Sequence, residues 1–132
     1  MTRVVNIIKD FRNLYNGYRY FITGSVARNE ESPHDIDINI LPPIDLNVLY
    51  PVEDLSEWSD VLKNFDDLFI DELRVDAQII PLLNEVMRGY KGKLNRYIYR
   101  DGELIKLTSN GIINDKAKSR GVDNIPFAYM EV

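Results

Sequence analysis

Residues 35–41, Asp-Ile-Asp-Ile-Asn-Ile-Leu, constrain this chain more than any other segment. Polar and apolar side chains alternate without a break, and a period of two is the pattern of a β-strand with one buried face. Ile36, Ile38 and Ile40 are expected to face a core, with Asp35, Asp37 and Asn39 on the opposite face. Pro42-Pro43 ends the strand, because proline cannot donate to a sheet ladder. A strand of this kind needs neighbours to pair with and a second layer to cover its isoleucines.

The remaining sequence supplies both. Residues 3–16 place Val4, Ile7, Ile8, Phe11 and Leu14/Tyr15 at helical spacing, and Asn16-Gly17 provides a stop. Residues 18–23 are aromatic and β-branched and predict a strand that closes at Gly24-Ser25. Val26 to His34 reads as a polar connection opening with a short helical turn, and residues 44–53 read as a loop. Asp54 to Phe65 predicts a helix with Asp54 or Ser56 as its N-cap and Leu55, Trp58, Val61, Leu62 and Phe65 as its buried stripe. Residues 68–80 hold a further strand, clearest from Leu73 to Ile80 and ended by Pro81. A short helix is expected over Leu82 to Met87, and Asp101-Gly102 joins Arg96–Arg100 to Glu103–Thr108 as a hairpin. The expected class is α/β (α+β), a mixed β-sheet with helices packed on it and a C-terminal hairpin. The 132 residues suit a single domain, with its core over about 3–90 and the hairpin and tail over about 93–132.

Composition narrows the function classes. The net charge of −5 is a poor match to non-specific nucleic-acid binding, which needs a basic footprint. The chain has no cysteine and one histidine, which removes thiol chemistry and argues against zinc. No apolar run approaches the roughly 20 residues that span a bilayer, and the opening residues lack a signal-peptide core. A cytoplasmic location, away from membranes, is the expectation.

The chemistry-bearing residues begin with Asp35 and Asp37. Two carboxylates two residues apart on one strand face sit roughly 6.5–7 Å apart at the backbone, close enough for their side chains to converge on one cation. Oxygen donors without cysteine or histidine suit Mg²⁺, Mn²⁺ or Ca²⁺. Taken alone, Asp-x-Asp is also what any solvated sheet face looks like. The later strand changes the balance, because Arg74, Asp76 and Gln78 share a face. If it lies beside residues 35–41, Asp76 joins the pair, and the mutual repulsion of three carboxylates is a cost that a bound cation removes. Gly24-Ser25, between a strand and a helical turn, offers a close backbone approach and a hydroxyl to a phosphate, and Arg28 adds a positive charge. The segment is neither Gly-x-x-x-x-Gly-Lys-Ser/Thr nor Gly-x-Gly-x-x-Gly.

Together these pieces resemble a known signature. Phe21-Ile-Thr-Gly24-Ser25-Val-Ala-Arg28, nine residues between Ser25 and Asp35, Asp35-Ile-Asp37-Ile38, and Asp76 on a later strand are similar to the polymerase-beta-like nucleotidyltransferase superfamily. The likeness covers roughly residues 3–81 and the small, single-domain members. It implies that Gly24 and Ser25 hold the triphosphate of an NTP, ATP first among them, and that Asp35, Asp37 and Asp76 bind Mg²⁺ (or Mn²⁺). It further implies that Asp76 helps activate a hydroxyl acceptor, and that a nucleoside monophosphate is transferred with release of pyrophosphate. The acceptor could be a protein, an RNA end or a small molecule. Asn29 stands where many members have glycine, and the helical second domain of larger members has no counterpart in the roughly 50 residues after Asp76. The acceptor pocket is therefore expected from a protein partner, a second copy or this C-terminal segment. The alternative is a non-catalytic nucleotide- or partner-binding module on the same fold, acting like an antitoxin beside a helical protein. A third reading, a ligand-free interaction domain, leaves the aspartates as a polar sheet face.

Other candidates weigh less. His34 reads as a loop residue, and a Ser25–His34–Asp triad lacks the Gly-x-Ser-x-Gly elbow. Trp58 reads as core. Arg88–Arg100 interleaves Arg88, Lys91, Lys93, Arg96 and Arg100 with three tyrosines, a composition that suits nucleotide contact and equally a solvated hairpin face. Lys116-Ala-Lys118-Ser-Arg120, Glu30-Glu31 and Asp66-Asp67 read as surface.

Overall fold

The first helix forms where the apolar spacing predicts it. The computed structural model describes residues 2–27, 33, 35–45, 50–51, 53–81, 93–110 and 129–132. α1 spans Thr2–Leu14 and buries Val4 and Ile8, with Ile7 and Phe11 packed alongside. Leu14 departs from the expected stripe: it closes the helix and is 65% exposed. Gly17, at φ +84°, turns the chain into β1, Arg19–Thr23.

Gly24–Ala27 forms the single turn α2, and β2 follows at Asp35–Leu41. β3 (Ile44–Asp45) and β4 (Tyr50–Pro51) pair antiparallel as a small separate sheet, where the sequence predicts only a loop. Two-residue strands are too short to show alternation, so the pattern of residue types carried no sign of them.

α3 spans Leu55–Lys63, and its start is set by chemistry at Asp54. Asp54 Oδ1 accepts the Glu57 N–H at 3.0 Å, so Asp54 rather than Ser56 is the cap. Trp58, Val61, Leu62 and Phe65 are buried as predicted, but Leu55 is 46% exposed. It sits one turn before the stripe meets the core, so its helical spacing had nothing to pack against.

β5 (Phe69–Ile70) and β6 (Leu73–Ile79) are joined by Asp71-Glu72, both at positive φ. No glycine marks this turn, which is why the sequence reads 68–80 as one strand. β7 (Lys93–Arg100) and β8 (Glu103–Asn110) form the predicted hairpin. Asp101 and Gly102 lie at φ +53° and +78°, the left-handed conformations that a two-residue hairpin turn needs. The expected helix over 82–87 and the cluster at 116–120 lie outside the described residues.

The main sheet has seven strands in the order β8-β7-β6-β2-β1-β9, with β5 against β6. β9, Tyr129–Glu131, pairs antiparallel with β1, a strand that the sequence pattern does not predict. Three residues carry no periodicity, and their partner lies more than a hundred residues earlier. What holds β9 is visible only in three dimensions. Arg19 grips Glu131 through both oxygens, Nε to Oε2 at 2.6 Å and Nη2 to Oε1 at 2.7 Å. The Val132 N–H donates to Tyr20 O at 2.9 Å, and Arg12 Nη1 donates to Val132 O at 2.8 Å. The Arg19 hydrogen bond holds the Glu131 carboxyl below its ordinary range and raises the arginine in turn.

The two longer described helices pack on one face of the sheet. α1 and α3 cover the sheet face made by Tyr20, Ile22, Ile36, Ile38, Ile40, Val75, Ile79 and Tyr97. Phe11 meets Phe65 edge-on at 4.8 Å between ring centres, and Trp58 meets Tyr97 at 4.9 Å. On the opposite face Asp35 and Asp37 are half-buried and Asp76 is exposed, while Phe21, Asn39 and Leu41 are buried. No described helix is long and apolar enough to cross a membrane.

Candidate metal centre

Strand register builds the centre. β2 and β6 run parallel, with Asp37 opposite Asp76 and Asp35 opposite Arg74. Opposed residues of paired strands share a face, so the adjacency that the sequence left conditional is realised. One oxygen from each of Asp35, Asp37 and Asp76 lies within 4.8 Å of the others. Asp35 and Asp37 are half-buried and Asp76 is exposed, so the cluster opens to solvent at Asp76. Arg74 forms no ion pair with Asp35 or Asp76 among the described residues. Oxygen-only donors this close together suit a hard divalent cation, and they do not by themselves separate Mg²⁺ from Mn²⁺ or Ca²⁺.

Gly24 and Ser25 complete the corner. Gly24 sits at φ +70°, and a Cβ placed on it would overlap Asp37 Oδ2 and come within 3.1 Å of its Cγ. The glycine therefore does two things: it adopts a left-handed turn and lets the Asp37 carboxylate lie against the backbone. Ser25 is 6% exposed, and its hydroxyl has no hydrogen-bond partner among the described residues. A buried unpaired hydroxyl costs about 1–3 kcal/mol, so this position is held against its own energetics. Those features fit a cation held by the three aspartates with an oxyanion beside it. Arg28 and His34 lie outside the described residues.

Away from the aspartates the same face changes character. Arg96 Nη1 donates to Gln78 Oε1 at 2.9 Å, and Gln78 Nε2 donates to Asn39 Oδ1 at 2.7 Å. This chain of amides and guanidinium ties β7 to β6 and β2, and it leaves Asn39 buried rather than solvated. Of the basic stretch 88–100, Arg96 is thus committed to a structural contact, while residues 88–92 lie outside the described set. Trp58 is core, as its spacing predicts.

Among the described residues, the pairing of β6 with β7 is at Ile79 and Tyr97. A recess of about 50 Å³ lies beside these strands and the end of α3, with Leu62, Phe65, Arg74, Asp76, Tyr99 and Arg100 among its walls. Asp66 and Asp67, which read as plain surface, are exposed and also reach its lining. Sequence reasoning missed this recess because its walls come from three separate segments, residues 62–67, 74–77 and 98–100. Comparison with family models, curated proteins and solved structures found no match, so the chemistry rests on this geometry.

Proposed function

We propose that this chain is a minimal metal-dependent nucleotidyltransferase of the polymerase-beta-like kind. It moves a nucleoside monophosphate from an NTP, ATP first among them, to a hydroxyl acceptor and releases pyrophosphate. The observation that carries the reading is the convergence of Asp35, Asp37 and Asp76 within 4.8 Å beside a glycine turn that a Cβ would block. A solvated sheet face needs neither the convergence nor the glycine.

Each group has a distinct role in this reading. Asp35, Asp37 and Asp76 hold Mg²⁺ or Mn²⁺. When bound, such ions neutralise charge that develops on the attacking and leaving oxygens of an in-line displacement. Gly24 and Ser25 receive phosphate oxygens, the serine hydroxyl gaining the partner it lacks among the described residues. The acceptor oxygen bonds to the α-phosphorus, the α–β bridging oxygen departs with pyrophosphate, and the hydroxyl proton leaves toward a carboxylate. Asp76 is assigned that proton because it is the most exposed of the three and borders the recess. The recess beside β6, β7 and the end of α3 is the entry for the acceptor hydroxyl. The cytoplasm, where NTPs are abundant, is the location that follows from the reading.

Thermal melting with Mg²⁺ and each NTP in turn tests it. A ligand at a hundred times its Kd adds about 2.7 kcal/mol to a folded protein, a plainly visible rise in Tm. The expected result is a rise that needs metal and nucleotide together and identifies the donor. A cooperative melt that no Mg²⁺–NTP pair moves would contradict the site and favour a partner-binding module.

A further inference from the structure

Pairing across four strands places one more side chain beside this centre. Thr23 of β1 is opposite Asp37 of β2 on one side and opposite Tyr129 of β9 on the other, and Asp37 is opposite Asp76. Tyr129, Thr23, Asp37 and Asp76 therefore form one transverse row on a single sheet face. Two strand spacings separate Tyr129 from Asp37, roughly 10 Å at the backbone. β9 also touches α2, which carries Gly24 and Ser25.

The ring is held at the sheet edge. It meets the fully buried Phe21 edge-on, with centres 6.2 Å apart, and the residue keeps 44% exposure. The strand beneath is fixed by the two-oxygen Arg19–Glu131 pair and by backbone bonding at Val132. An exposed aromatic surface on a secured edge strand, at this distance from a metal and phosphate corner, has the size and position of a base platform.

We propose that Tyr129 stacks the nucleobase of the donor nucleotide, so that the C-terminal strand sets donor affinity. The inference rests on the nucleotidyltransferase reading above. It assigns the base to the β9 side of the row and leaves the Asp76 side to the acceptor. Because every base has a π-face, the contact favours the larger purines over pyrimidines without selecting one by hydrogen bonding.

The test compares Mg²⁺–ATP with Mg²⁺–tripolyphosphate, which has the charges but no base, by titration calorimetry. Tyr129→Ala is expected to weaken ATP about ten-fold, the scale of losing one stacked base, and to leave tripolyphosphate unchanged. Tyr129→Trp is expected to restore ATP affinity, and its emission, distinguishable from that of the buried Trp58, is expected to be quenched by ATP and not by tripolyphosphate. Unchanged ATP binding in Tyr129→Ala would overturn the proposal while leaving the phosphate site in place. Equal losses for both ligands would also overturn it, since the tyrosine would then act only through the fold. If the wild-type chain bound neither ligand, the metal–phosphate site would fail, and the base platform with it.

Discussion

Replacing Asp35 and Asp37 together by asparagine is expected to abolish the Mg²⁺-dependent rise in Tm with NTP and to reduce any nucleotidyl transfer by at least about a thousand-fold. Metal ions contribute several kcal/mol to a phosphoryl-type transition state, and about 4 kcal/mol corresponds to that factor. The same variant is expected to be at least as stable as the wild type without metal. Three carboxylates converge within 4.8 Å, and removing two charges removes repulsion while keeping side-chain volume. The combination is diagnostic. A structural role for the aspartates would lower the metal-free Tm, and a solvated polar face would change neither quantity. Melting curves in EDTA and in Mg²⁺ with NTP measure both. A metal-dependent shift that persists in the double variant would place the cation elsewhere.

Gly24→Ala is expected to have the next largest effect, on stability and metal binding together. The residue sits at φ +70°, where an L side chain costs about 1–2 kcal/mol. Its Cβ would in addition overlap Asp37 Oδ2, so the carboxylate must move away from the turn. Gly102→Ala provides the internal control. It shares the left-handed backbone, at φ +78°, but its added Cβ meets nothing within 4 Å. Gly102→Ala should therefore show the backbone cost alone. Gly24→Ala should exceed it by about 1–2 kcal/mol, the lower range for overpacking, and should also lose Mg²⁺–NTP binding. Equal destabilisation of the two, with nucleotide binding intact, would mean that Asp37 relaxes freely and that the tight glycine–aspartate approach has no functional weight.

The two glycines illustrate what could be read before the fold was known. Asp101-Gly102 announces its turn by residue type, and the hairpin forms where expected. Gly24 announces only a turn, and its second duty, making room for Asp37, needs the antiparallel register of β1 on β2. Strong alternation made residues 35–41 and 73–79 legible together with the faces of their aspartates. That two strands separated by α3 would lie side by side in parallel was a conditional step, because alternation says which face and not which neighbour.

Residue patterns are least informative at their ends and over long range. Leu14 and Leu55 have helical spacing yet are exposed, while Tyr15, the other residue offered at the Leu14 position of the stripe, packs against the core. The Asp71-Glu72 turn uses residues that rarely take positive φ, so the break between β5 and β6 was invisible. β9 is three residues held by Arg19, Arg12 and Tyr20 from the other end of the chain. Asn39 and Gln78 were correctly placed on the acidic face, yet their bond to each other and to Arg96 depends on β7 joining β6. The site was legible in proportion to how local its signals were. The aspartates and the Gly-Ser turn were readable in sequence, while the recess and Tyr129 emerged only from the fold.

The central claim is that Asp35, Asp37 and Asp76 hold a divalent cation together with a nucleotide triphosphate. The most direct measurement is anomalous diffraction from crystals of the protein with Mn²⁺ and a non-hydrolysable ATP analogue. The account predicts an anomalous peak at about 2.0–2.3 Å from oxygens of all three carboxylates, with the triphosphate against Gly24 and Ser25. Bound nucleotide with Mn²⁺ elsewhere, or crystals whose acidic face shows no peak at saturating Mn²⁺, would contradict it.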